Sequence, residues 1–180
     1  MTRCAVRFVA LWLVVQAAGG CGYALSGRGS FLPESVQTIG IPAFVNNTTV
    51  FDVEQPLTQR VRQEFIGRGR YRVVPGTAGA DAVLTGTITS VSLAPSAFND
   101  QQQATRYAVT VVMKFEFRDV RDSTLLWENP ALLFRDEYDL PSGGTTSLDA
   151  NAFFGQEGTA IERLANNFAK SVVTSILEAF

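Results

Sequence analysis

Few residues in this chain could carry covalent or acid–base chemistry. It has no histidine, so it lacks the commonest general base and metal ligand near neutral pH. No Walker loop or G-x-G-x-x-G run occurs. Ser142-Gly143-Gly144 is glycine-rich but leads into no lysine, so it reads as a loop and not a phosphate cradle. Asp136, Glu137 and Asp139 cluster after a β-type run. They could bind a cation or act as paired carboxylates, but the plainer reading is a solvated strand end. Arg60, Arg62, Arg68, Arg70 and Arg72 fall within thirteen residues. Guanidinium pairs phosphate bidentately, so this group is a candidate docking site for anions such as the phosphates of a glycolipid. The alternative is a solvated helix face followed by the outer side of an edge strand. No metal and no cofactor is expected.

The remaining reactive side chains are Cys4 and Cys21. Residues 1–20 carry Arg3 and Arg7, then an apolar run from Phe8 to Val15, then Gln16-Ala17-Ala18-Gly19-Gly20. A positive start, a short apolar stretch and a small-residue end make a signal peptide. The apolar run is too short to span a bilayer, which takes about 20 residues. Cys21 directly after it resembles the lipobox of bacterial lipoproteins, where the thiol receives a diacylglyceryl group. Ala18 stands where that box usually has leucine. Gly22 follows, in place of the aspartate that holds enterobacterial lipoproteins at the inner membrane. This implies the outer membrane, reached through a lipid anchor on Cys21. Cutting before Cys21 leaves one cysteine and no internal disulfide.

Fifteen basic and seventeen acidic residues give a net charge of −2, or −4 without residues 1–20. That balance argues against a nucleic-acid partner. The length suits one domain with its own core.

The elements follow from periodicity. Residues 21–35 are rich in Gly and Ser and read as a lipidated tether, with a single domain from 36 to 180. Val36–Phe44 reads as a strand, kept near an edge by Pro42, and Asn46–Thr49 as a turn. Residues 53–67 read as a helix with Leu57, Val61 and Phe65 on one face and Arg60 and Arg62 opposite. Tyr71–Val74 and Ala82–Leu93 read as strands, and Ser96–Gln103 as a polar hairpin loop. In Arg106–Arg118, Tyr107, Val109, Val111, Met113, Phe115 and Phe117 alternate with mostly polar residues, the signature of a half-buried antiparallel strand. Leu125–Arg135 is the return strand, and Asp139–Ser147 a loop. Residues 149–179 read as a long helix, firm from Thr159, with Ile161, Ala165, Phe168, Val172 and Ile176 as its stripe. The expected fold is α/β (α+β): a two-layer sandwich with two amphipathic helices on one mixed, mostly antiparallel sheet.

Three segments then acquire a shared meaning. Cys21-Gly22-Tyr23 opens the chain, Ile39-Gly40-Ile41-Pro42-Ala43-Phe44 with Asn46 and Thr48 follows, and Ala80-Asp81-Ala82-Val83-Leu84-Thr85-Gly86 comes later. Together they resemble LptE, the lipopolysaccharide-assembly lipoprotein family, across nearly all of the chain after residue 20. The resemblance implies a lipoprotein that plugs the LptD β-barrel, helps that barrel assemble and binds lipopolysaccharide, with no reaction catalysed. Loop bases tied to lipopolysaccharide contact in the enterobacterial branch have no counterpart in Phe98-Asn99-Asp100-Gln101 or Leu148-Asp149-Ala150-Asn151. Contact would then fall to Arg106, Arg135 or the early arginine group. Two other classes stay open: a structural or adaptor lipoprotein of another envelope complex, and an envelope hydrolase built on Asp136, Glu137 and Asp139.

Overall fold

A computed structural model describes residues 32–33, 35–139 and 158–179. The elements are β1 (Thr38–Gly40), β2 (Val45–Asn46), α1 (Glu54–Gly67), β3 (Arg72–Val74), β4 (Ala82–Phe98), β5 (Ala104–Asp119), β6 (Leu125–Asp139) and α2 (Gly158–Leu177). The sheet runs β3-β1-β4-β5-β6, with β2 also paired to β4. β1, β2 and β3 are parallel to their neighbours, whereas β4, β5 and β6 form an antiparallel meander. The expected sandwich of two helices on a mixed sheet is the fold observed.

The first expected strand is two short ones. Pro42 has no N–H to give to a ladder, and the chain leaves the sheet between Gly40 and Val45. The two long strands outrun their expected ends: β4 continues to Phe98 and β6 to Asp139. Leu32 is already in the core at 3% exposure. The residues of the last expected helix before 158 lie outside the described ones.

One face of the sheet is dry. Leu57, Val61 and Phe65 of α1 are buried, as are Leu164, Ala165, Phe168, Val172, Val173 and Ile176 of α2. They pack on Leu84 and Ile88 of β4 and Val109, Val111, Met113, Phe115 and Phe117 of β5. Phe115 centres an aromatic group, with ring centroids 5.5 Å from Phe44, 6.1 Å from Phe168 and 6.3 Å from Trp127. Such pairs add to what area burial alone contributes.

Joining the parallel part to the meander requires a crossing. β3 and β4 lie on either side of β1, so the chain from Pro75 to Asp81 must pass over it. It does so above Gly40, on the face away from the helices. A Cβ on Gly40 would sit 2.4 Å from the Gly76 carbonyl oxygen and 3.0 Å from the Ala80 Cβ. Gly86 has the same role against rings: its Cβ would meet Phe44 at 2.8 Å and Phe115 at 2.9 Å. Asp81 closes the crossing, its Oδ2 accepting the backbone N–H of Gln37 at 3.0 Å and of Thr38 at 2.8 Å. On the helix side, Thr58 is buried; its hydroxyl accepts the Phe44 N–H and donates to the Glu54 carbonyl.

We expect Gly40→Ala to lower stability by about 2–3 kcal/mol, because backbone must move to admit the methyl. Gly86→Ala should cost less, about 1–2 kcal/mol, since rings can tilt. Denaturant midpoints at unchanged slope check both. A Gly40→Ala protein as stable as the parent would show that the crossing is loose.

Asp81, Glu116, Asp119 and Asp122 are all held below their ordinary pKa and together shape the acid limb. Asp119 is held near pKa 2, against an ordinary 3.8, chiefly by hydrogen bonds from the Arg121 side chain and backbone. Asp81 is lowered by the two backbone N–H groups it accepts. A carboxylate depressed in the folded state contributes stability above its unfolded pKa and loses it as pH falls through the folded one. Stability should therefore drop between about pH 4 and pH 2, and Asp119→Asn should flatten part of that drop in midpoint-against-pH curves.

Candidate functional site

Cys21, the expected lipidation site, lies outside the described residues, as do the Pro141–Ser147 loop and Leu148–Asn151. Among the described residues, the seven candidate arginines do not form one patch. Arg62 is spent on structure. Its Nε and one Nη donate to the Ile41 carbonyl at 2.9 and 2.6 Å, and that Nη reaches the Pro75 carbonyl at 3.3 Å. Desolvation lowers its pKa. The Ile41 carbonyl needs this donor where Pro42 leads the chain off the sheet. Helical spacing placed Arg62 on the solvent face; its length lets it fold back over the strand end instead.

Arg68 lies at the end of α1, 2.9 Å from Glu64 and hydrogen-bonded to the Thr174 hydroxyl on α2. Arg60 bonds Gln63 and comes within 4.0 Å of Glu162 on α2. Arg70 and Arg72 are exposed and make no ion pair among the described residues. Arg106 meets Asp139 at 2.7 Å and Glu137 at 3.7 Å, and Arg135 meets Glu137 at 3.5 Å. These four acidic or basic side chains, with Leu133, lie on the sheet face that carries no helix among the described residues, because residues two apart on a strand share a face.

The same alternation dissolves the acidic cluster. Asp136 points to the helix side, where it accepts the Tyr138 hydroxyl at 3.0 Å and the Asn167 amide of α2 at 3.2 Å. Glu137 and Asp139 point away and are matched by arginines. No group of three metal-capable side chains exists among the described residues.

The open face is polar and charge-balanced. Thr85, Thr89, Ser90 and Ser92 line β4. Lys114 and Arg118 both pair with Glu116, at 2.7 and 3.0 Å. Val112 and Leu133 are partners across the β5–β6 ladder, between the two charged ends, and Leu133 is 64% exposed. Exposed pairs of this kind add little stability; what they do is neutralise the face. Beyond it, β4 and β5 run as a ribbon to the Asn99–Gln103 turn. There the Asn99 carboxamide oxygen accepts the N–H of Gln101 and Gln103, and Phe98 is exposed.

This arrangement belongs to a class, the small α+β sandwich with two helices packed on one mixed, mostly antiparallel open sheet. The protein CT253 of Chlamydia trachomatis shares the fold, at TM-score 0.52 and 8% identity over 79% of this chain and 96% of that one. Rare lipoprotein B from Shewanella oneidensis (TM-score 0.48, 13% identity, 77% of this chain and 95% of that one) and a minor lipoprotein from Acinetobacter baumannii (0.49, 10%, 82% and 95%) are more distant in shape. No curated protein matches the sequence. The LptE lipopolysaccharide-assembly family matches residues 36–176, and the chain belongs to that family.

Arg62→Met should cost about 1–3 kcal/mol, because it leaves the buried Ile41 carbonyl without its donor. It should leave binding of phosphate-bearing lipid unchanged once stability is matched by temperature. Loss of such binding in a folded Arg62→Met protein would return Arg62 to the ligand site.

Proposed function

We propose that this protein is a non-catalytic lipoprotein of the outer membrane, anchored through acylated Cys21. It works by plugging an LptD-type β-barrel, helping the barrel to assemble and assisting lipopolysaccharide delivery. The observation that carries this reading is the family match across residues 36–176. The open face adds support. A barrel lumen is polar, and a Thr- and Ser-rich face whose charges cancel can meet such a wall without stranding a charge. Leu133 gives that face an apolar centre inside a polar rim, the usual anatomy of a contact surface.

Contact with lipid A phosphates falls to Arg70 and Arg72. The other basic candidates already hold a carboxylate or a carbonyl, and a phosphate would have to displace it. Arginine at a phosphate works best with its fork unoccupied.

Depleting the protein in cells should lower both correctly folded LptD-type barrel and surface lipopolysaccharide. A photocrosslinker placed at Leu133 should capture that barrel. Normal levels of both after depletion rule the proposal out. Capture of a different envelope protein from Leu133 would favour the adaptor reading.

A further inference from the structure

The point where the chain enters the fold is held by more bonds than a tether end needs. Leu32 and Val36 are each 3% exposed, and the Val36 N–H closes a turn onto the Pro33 carbonyl at 2.9 Å. Arg121, on the turn between β5 and β6, donates to the Ser35 hydroxyl at 2.7 Å. Asp119 holds Arg121 in place, accepting its backbone N–H at 2.9 Å and its Nε at 3.0 Å. Asp81 grips the next two residues through the N–H groups of Gln37 and Thr38. Backbone bonds tie these pieces to each other: Asp81 N–H to the Thr38 carbonyl, Val120 N–H to the Asp81 carbonyl, and Arg72 N–H to the Gln37 carbonyl. Residues from β1, β3, β4 and the β5–β6 turn, far apart in sequence, therefore converge on one short segment.

We propose that the Asp81–Asp119–Arg121 network is a tether lock. It fixes the residue at which the lipid-linked segment leaves the domain, and so sets how far the domain stands from the membrane. This rests on the reading of Cys21 as the anchor. Ten residues lie between Cys21 and Leu32, and the eleven steps from one to the other reach at most about 36–40 Å at full extension. Freeing the chain as far as Gln37 would add about 17 Å. A plug that must seat in a partner at a fixed height above the leaflet gains from a defined exit point, since slack dilutes the tethered domain around its partner. The buried leucine and valine seat the segment, and the polar network keeps it from peeling off the core.

Two measurements test the lock. In hydrogen exchange on the purified protein, Asp81→Ala should speed the Gln37 and Thr38 amides, and Arg121→Ala the Val36 amide, each at least about tenfold, while β5 amides stay protected. In cells, deleting five residues between 22 and 31 should lower folded barrel about threefold. Combining that deletion with Arg121→Ala should restore it, because the released segment replaces the length removed. Unchanged exchange at those amides in either variant overturns the lock, as does a deletion without effect or one that Arg121→Ala does not rescue. Mass spectrometry of Cys21 separates this failure from that of the anchor: an unacylated cysteine sinks the anchoring reading, and the exchange result still judges the lock.

Discussion

The passage of one backbone segment over one glycine makes this architecture possible. β1 sits between β3 and β4, so the connection between those two strands has to cross it. Close packing forbids any side chain at the crossing point, where the Gly76 carbonyl approaches to within 2.4 Å of the place a Cβ would occupy. With the crossing in place, a parallel β-α-β unit and an antiparallel meander share one sheet, and both helices land on the same face. A chain unable to cross there would have to part the two units and expose the edge of each.

Among the described residues both helices lie on one side of the sheet, and no helix covers the other. Its Thr, Ser and paired charges keep it wet without making it sticky, and of the two large exposed apolar side chains of β6, Leu133 is the more exposed, at 64% against 38% for Leu125. The arginines behave as their neighbours require. Arg62 satisfies a stranded carbonyl, Arg60 and Arg68 link α1 to α2, and Arg106 and Arg135 answer the acids beside them. Of the seven candidate arginines, only Arg70 and Arg72, just before and at the start of the short edge strand β3, keep their forks open to solvent.

Of the segments that carry the family resemblance, the two among the described residues prove to be architectural. Gly40 admits the crossing, Phe44 fills the space that Gly86 leaves beside Phe115, and Asn46 builds the turn into α1 by bonding Val50 and Glu54. Asp81 fastens the start of β4 to the entry of β1. Residues that looked like a family signature are thus the ones that hold parallel and antiparallel parts together. Function rests on the surfaces they organise.

The sequence by itself determined the elements whose order is local. The alternation of Tyr107 to Phe117 named the buried side of β5, and the spacing of Leu57, Val61 and Phe65 named the buried side of α1, because period and face are linked by backbone geometry alone. The absence of histidine and the placing of Cys21 after a short apolar run were equally plain. Pairing partners were not, since they depend on which strands become neighbours. Only the tertiary structure decided that Asp136 and Glu137 face opposite ways, that Arg62 turns back onto a carbonyl, and that Ser35, Asp81, Asp119 and Arg121 meet. Arg62 with Ile41 and Ser35 with Arg121 join residues far apart in sequence, and the opposite facing of Asp136 and Glu137 depends on β6 running on to Asp139, none of which local composition encodes.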